Sequence, residues 1–140
     1  IIVPFAAGGP TDTVARLVAE AMGRNLGQTV VVENAGGAGG TIGAQKVAMA
    51  RPDGYTLLLH HIGMSTTPTL YRRLAYDPVN GLETIGLVTE VPMTLVAKKD
   101  FPANTLQEAI AVIRRERDNL NYANAGIGAA SHLCGLLLMK

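Results

Sequence analysis

The stretch Ile1-Ile2-Val3-Pro4-Phe5-Ala6-Ala7-Gly8-Gly9-Pro10-Thr11-Asp12 (IIVPFAAGGPTD) decides the fold. Its first five residues are apolar throughout and read as a short buried strand. From Thr13 the pattern changes period. Val14, Leu17, Val18, Ala21 and Met22 fall at i, i+3, i+4, i+7 and i+8, one face of a helix. Thr11 or Asp12 stands where a helix cap belongs, and Gly27 follows the expected end. Two glycines, two prolines and a Thr-Asp pair in so short a connection exceed the needs of a plain turn. A loop that brings bare backbone amides close to another group needs about this many.

The same order recurs downstream. Thr29 to Glu33 predicts a second buried strand, running into the glycine-rich loop Asn34 to Gly40 and a small-residue helix from about Thr41 to Ala50. Pro52-Asp53-Gly54 is a turn, and Tyr55 to His60 predict a third strand. Beyond the loop His61 to Pro68 and a short helix near Tyr71, Leu82 to Val88 and Met93 to Ala97 predict two more strands. Lys98 to Pro102 break the pattern as a crossover. Thr105 with Glu108 forms a capping box ahead of a helix carrying Leu106, Ala109, Ile110 and Ile113 on one face. Leu120 to Ala123 predict a strand, Asn124 to Ser131 a small-residue loop, and Leu133 onward a helix. Alternation of this kind is the mark of parallel βα units, an α/β fold with ligand-binding loops at the carboxyl ends of its strands.

Composition narrows the function. With 48% hydrophobic and 16% charged residues, 140 residues can bury a core. Net charge is +1, and the densest basic cluster, Arg114-Arg115 with Arg117, is interrupted by Glu116, which argues against a nucleic-acid partner. The single Cys134 excludes an internal disulfide and a multi-cysteine metal site, and its apolar setting reads as a small buried hydrophobe. No apolar stretch is long enough to span a bilayer. Ile1 stands inside a strand without a signal peptide before it, and Lys140 ends an apolar run, so the chain reads as part of something longer.

A helix start leaves N–H groups without partners and carries positive potential, and glycine removes the side chain that would hold a ligand away from them. The loops at Gly8-Gly9, Gly36 to Gly40 and Gly126 to Gly128 each offer such a surface, together an anion cradle without Arg or Lys. Glycines and prolines also mark ordinary turns, and Asp12 would repel an anion seated on the first helical turn. Nucleotide motifs fail: Ile42 stands where G-x-G-x-x-G needs its last glycine, and no Gly-Lys-Ser/Thr or G-x-S-x-G occurs. Ser131-His132 suit a helix cap better than a nucleophile with its base. His60 and His61, as neighbours on a strand, are expected on opposite faces and not on one metal ion. Neither catalytic residues, nor a metal site, nor a cofactor is indicated.

In combination, PFAAGGPTD at Pro4 to Asp12, Gly27-Gln28 before Val30-Val31-Val32-Glu33-Asn34, Gly39-Gly40-Thr41-Ile42-Gly43, Pro52 to Leu58, Tyr76-Asp77-Pro78, and Leu120 to Ala123 leading to Gly126 and Ser131-His132 carry a resemblance. The chain resembles the periplasmic substrate-binding receptors of tripartite tricarboxylate transporters, the Bug-type proteins, over nearly all its length. The resemblance implies a periplasmic-binding-protein-like (type II) clamshell of two α/β lobes, here residues 1–95 and 96–140, with the second incomplete. It implies a periplasmic receptor, its signal peptide removed, that is not an enzyme. Such a receptor takes a small carboxylate (a dicarboxylate, tricarboxylate, acidic amino acid or aromatic carboxylate) and delivers it to membrane permease subunits. Carried over by position, the ligand meets Phe5, Ala6, Ala7, Gly8, Gly9, Thr11 and Asp12, then Gly39, Gly40 and Thr41, then Gly126, Gly128, Ser131 and His132, and His61 near the cleft is expected among the ligand-binding residues. Two departures from the family pattern stand beside that cleft: Ala35-Gly36 in place of Arg-Pro, and His60-His61 in place of small residues.

Two other classes remain at this level. An effector-sensing module of a regulator shares this kind of fold and would require a helix-turn-helix elsewhere. A phosphate- or nucleotide-using α/β enzyme would require a general base and usually a metal site.

Overall fold

The computed structural model describes residues 1–140, the side chain of Asp118 excepted. Two compact units divide it, one of Ile1–Gly86 with Asn124–Lys140, the other of Leu87–Ala123.

The first unit is built on β1 (Ile2–Val3), buried on both sides. β2 (Glu33–Asn34) pairs with it in parallel, Ile2 opposite Glu33 and Val3 opposite Asn34. The N-terminal ammonium also donates to the Val31 carbonyl at 2.6 Å. On the other side Ile2 forms a parallel bridge with Leu58, its N–H donating to Leu57 O at 2.7 Å and its carbonyl accepting from Leu59 N–H at 3.0 Å. Three parallel segments thus lie side by side, and the first loop, the Asn34–Gly40 loop and His60-His61 all leave from their carboxyl ends. Helix α1 (Pro10–Leu26) and helix α2 (Thr41–Ala48) both pack on β1.

α1 begins earlier than its apolar pattern predicts. Gly9 is the N-cap and Pro10 takes the first turn, where its missing N–H costs nothing. Thr11 and Asp12 therefore lie inside the helix and neither caps it. The face turned inward is also different: Asp12, Ala15 and Ala19 are buried, whereas Leu17 is 63% exposed. Alanine's single methyl lets the helix approach Val3 closely, and that proximity outweighs the larger residues of the neighbouring face. Gly27 ends the helix in the left-handed conformation at φ 65°, as expected of a C-terminal glycine.

The short helices Ile62–Thr66 (3-10) and α3 (Thr67–Leu70) follow the third segment, and α5 (Ala130–Met139) closes the unit. Thr67, Ala129 and Ala130 are buried with Ile2, Val3, Ala15, Ala19 and Ala44. α5 starts three residues before Leu133, which brings Ser131 and His132 into its first turn. Cys134 is a free thiol, half-buried rather than buried.

In the second unit, α4 (Leu106–Glu116) carries the capping box read from sequence. Thr105 Oγ1 accepts from Glu108 N–H at 3.2 Å, and the Glu108 carboxylate accepts from Asn104 N–H at 2.7 Å. Val112 is its buried residue, while Leu106 of the expected face is 55% exposed. The strands expected at Leu82–Val88, Met93–Ala97 and Leu120–Ala123 do not form. A strand exists only where a second backbone completes its ladder, and none of these segments meets one.

Candidate functional site

The loops that leave the three parallel segments meet around Phe5. Its ring stacks on His61 with centroids 4.3 Å apart and planes 18° from parallel, and meets His60 edge-on at 5.2 Å. The two imidazoles stand 5.0 Å apart, so they share one cluster rather than opposite faces. The chain leaves its strand at His60, and strand alternation no longer governs it. Gly40 closes the cluster from the second loop. A Cβ there would lie 2.5 Å from His60 Nε2 and 3.2 Å from Phe5 Cζ, and the residue's φ of 99° suits glycine.

The third glycine loop joins on the far side of the second. Gly39 (φ 64°) has no room for a side chain: a Cβ would overlap the Ile127 carbonyl and approach Tyr71 Oη to 2.8 Å. Tyr71 Oη donates to that carbonyl at 2.7 Å, and Thr66 Oγ1 lies 3.1 Å from Gly128 O. Backbone therefore packs on backbone, and Tyr71 and Thr66 pin the third loop. Neither carries a motif, so the sequence offers no signal for them.

Asp12 organises the first loop. Its buried carboxylate accepts from Arg16 Nε at 2.9 Å, Gly8 N–H at 2.8 Å and Asn34 Nδ2 at 3.0 Å. The Arg16 hydrogen bond first, then those of Gly8 and Asn34, hold its pKa down to about 2. Asn34 Nδ2 also reaches the Phe5 carbonyl at 3.1 Å, tying the first loop to the second. The carboxylate expected to repel an anion is thus neutralised by Arg16 and turned onto its own loop.

Most glycine amides are consumed within the loops. Gly8 donates to Asp12, Gly9 to Ala6 O, Gly40 to Gly37 O, Gly126 to Asn124 Oδ1 and Gly128 to His132 Nδ1. Ser131 Oγ accepts from Ala125 N–H at 3.0 Å, and Thr41, buried, donates its hydroxyl to Ala38 O. Among the described residues the N–H groups of Ala7, Ala38 and Gly39 meet no acceptor, and Gly39 is buried. His60 Nε2 is buried without a partner too. Burial pushes the His60 pKa down to about 4 and lowers that of His61 as well, so both imidazoles are neutral near pH 7. The cluster offers neutral donors, not cations. A groove of about 650 Å³ lies elsewhere, along α1 and residues 27–32, between Arg16, Glu20, Arg24 and Val32.

Three parallel segments with glycine loops gathered at their carboxyl ends make the edge at which open α/β proteins take their ligands. The description of the tripartite tricarboxylate transporter family receptor matches residues 14–139, and the chain belongs to that family, one of receptors and not of enzymes. Its fold is that of periplasmic binding proteins. The periplasmic binding protein BugD superposes with a TM-score of 0.95 at 58% identity, over 99% of this chain and 46% of that one. MatC from Rhodopseudomonas palustris, solved with bound malate, gives 0.89 at 46% identity, over 98% and 47%. Among curated relatives, a protein of Agrobacterium vitis from the TAR-I ttuE-ttuC' intergenic region is 54% identical over 99% of this chain and 40% of its own length. BugT of Bordetella pertussis is 35% identical over 95% and 41%. The chain therefore spans less than half the length of these relatives. No helix among the described residues is long and apolar enough to cross a membrane.

Proposed function

We propose that this chain supplies a carboxylate-binding surface of a periplasmic solute receptor, which binds a small di- or tricarboxylate and hands it to the permease subunits of a tripartite transporter. The observation that carries the reading is His60 Nε2, a buried polar atom without a partner in the cluster of Phe5, His60 and His61 that Gly40 closes. Buried polar groups in native proteins have partners, and here the missing partner fits a ligand oxygen or a bridging water. MatC was solved with malate and another R. palustris relative with adipate, both small dicarboxylates. In this reading Phe5 to Gly9, Thr11 and Asp12 shape the first wall, with Asp12 holding the loop rather than touching the anion. Gly39, Gly40 and Thr41 supply the second wall, and Gly126, Gly128, Ser131 and His132 the third. A neutral donor set binds a carboxylate by hydrogen bonds rather than ion pairing, and bound waters can bridge the longer gaps.

Calorimetric titration of the full-length protein with malate, succinate, citrate and adipate tests the reading. Saturable binding of at least one acid, with the acid recovered unchanged, is expected. Absence of binding to all four, or turnover of any, overturns it.

A further inference from the structure

We propose that His61 is a specificity-determining residue of this site, presenting its Nε2–H as a neutral donor to a carboxylate or hydroxyl oxygen of the ligand. The inference rests on the receptor reading and deepens it. The tautomer follows from one contact: His61 Nδ1 accepts the Gly63 N–H at 3.0 Å, capping the 3-10 turn Ile62–Thr66. A neutral imidazole whose Nδ1 accepts must carry its proton on Nε2. Among the described residues nothing takes that proton as a hydrogen bond.

The ring is also fixed in direction. Phe5 stacks on one face at 4.3 Å, and His60 stands edge-on at 5.0 Å. Gly63 makes the pose possible, because a Cβ there would come within 2.7 Å of His61 Cε1 and 2.9 Å of Nδ1. A donor held on three sides loses little freedom when a ligand arrives, so more of its hydrogen-bond energy appears as affinity. Its place beside Phe5 and His60, at the carboxyl end of the third segment, puts it with the first loop and apart from the α1 groove. Being neutral, it distinguishes acids by where an oxygen lies rather than by total charge.

The test compares wild type, His61→Asn and His61→Ala in the full-length protein, titrated with malate, succinate, citrate and adipate. Asn at this position keeps an oxygen acceptor for the Gly63 N–H while withdrawing the ring donor, so it separates capping from recognition. Expected are an unliganded melting temperature of His61→Asn close to wild type, and affinity for the best-bound acid reduced about 10- to 100-fold in both variants. Imidazole ¹⁵N spectra of the unliganded protein should show His61 as the Nε2–H tautomer. If wild type binds an acid and His61→Asn binds it equally, or if the spectra show an Nδ1–H tautomer, the inference is overturned while the receptor reading stands. If wild type binds none of the acids, the receptor reading falls first.

Discussion

Asp12 and His60 are the two residues whose ionisation the fold displaces most clearly, and they act in different pH windows. The His60 pKa falls from 6.5 to about 4, so the unfolded chain takes up a proton before the native one does. Stability should therefore decline as pH drops from about 6.5 towards about 4, with His61 adding in the same direction. Asp12 is depressed from 3.8 to about 2, so its contribution is intact above 3.8 and is lost only as pH falls through about 2. Thermal melts across pH 2 to 8 check both; in His60→Asn the decline between 6.5 and 4 should shrink and the acid limb persist. Gly40→Ala is a sharper substitution at this scale. Its new methyl meets His60 Nε2 at 2.5 Å and the backbone stays at φ 99°, a combination expected to cost about 1–3 kcal/mol in denaturant unfolding. The glycine loops from Gly8 to Gly40 were legible because glycine and proline are local signals. His60 joining Phe5, and Tyr71 reaching Ile127, were not, since both depend on which strand ends lie side by side.

Among the elements, legibility followed how local the cause was. α2, the Gly27 terminus of α1 and the Thr105–Glu108 box are specified by residues within one or two turns, and all three form as read. The inward face of α1 was misjudged because apolar size marks Leu17 and Val18, whereas close approach to β1 selects Ala15 and Ala19. The strands expected over Leu82–Val88, Met93–Ala97 and Leu120–Ala123 failed for the opposite reason: β-branched composition suits a ladder but cannot supply its partner. Local causes permit a local test. Thr105→Ala should destabilise α4 by about 1 kcal/mol, leaving the Glu108 N–H uncapped. Hydrogen exchange of the α4 amides should accelerate accordingly, while the amides of α1 exchange as in wild type.

At the scale of the whole molecule, the distribution of apolar surface matters more than any single contact. Ile85 (83% exposed), Val96 (82%), Leu87, Val91 and Leu95 all face outward, and so do Leu137 and Met139 of α5. The buried hydrophobic set is small by comparison and mostly alanine. Large apolar side chains exposed in this number favour association. The relatives in which the same fold is seen are more than twice as long, so they have further chain with which to cover such positions. The 140 residues in isolation are therefore expected to associate as concentration rises and to bind malate or adipate more weakly than the full-length protein. Further chain closing over the solute would exclude water and complete its hydrogen bonds. Sedimentation velocity over a hundredfold concentration range, with calorimetry on both chains, measures the two effects. A monomer at every concentration would show that the outward apolar residues are tolerated singly. Equal affinities would place the whole site on the surface around Phe5, Gly40 and His61.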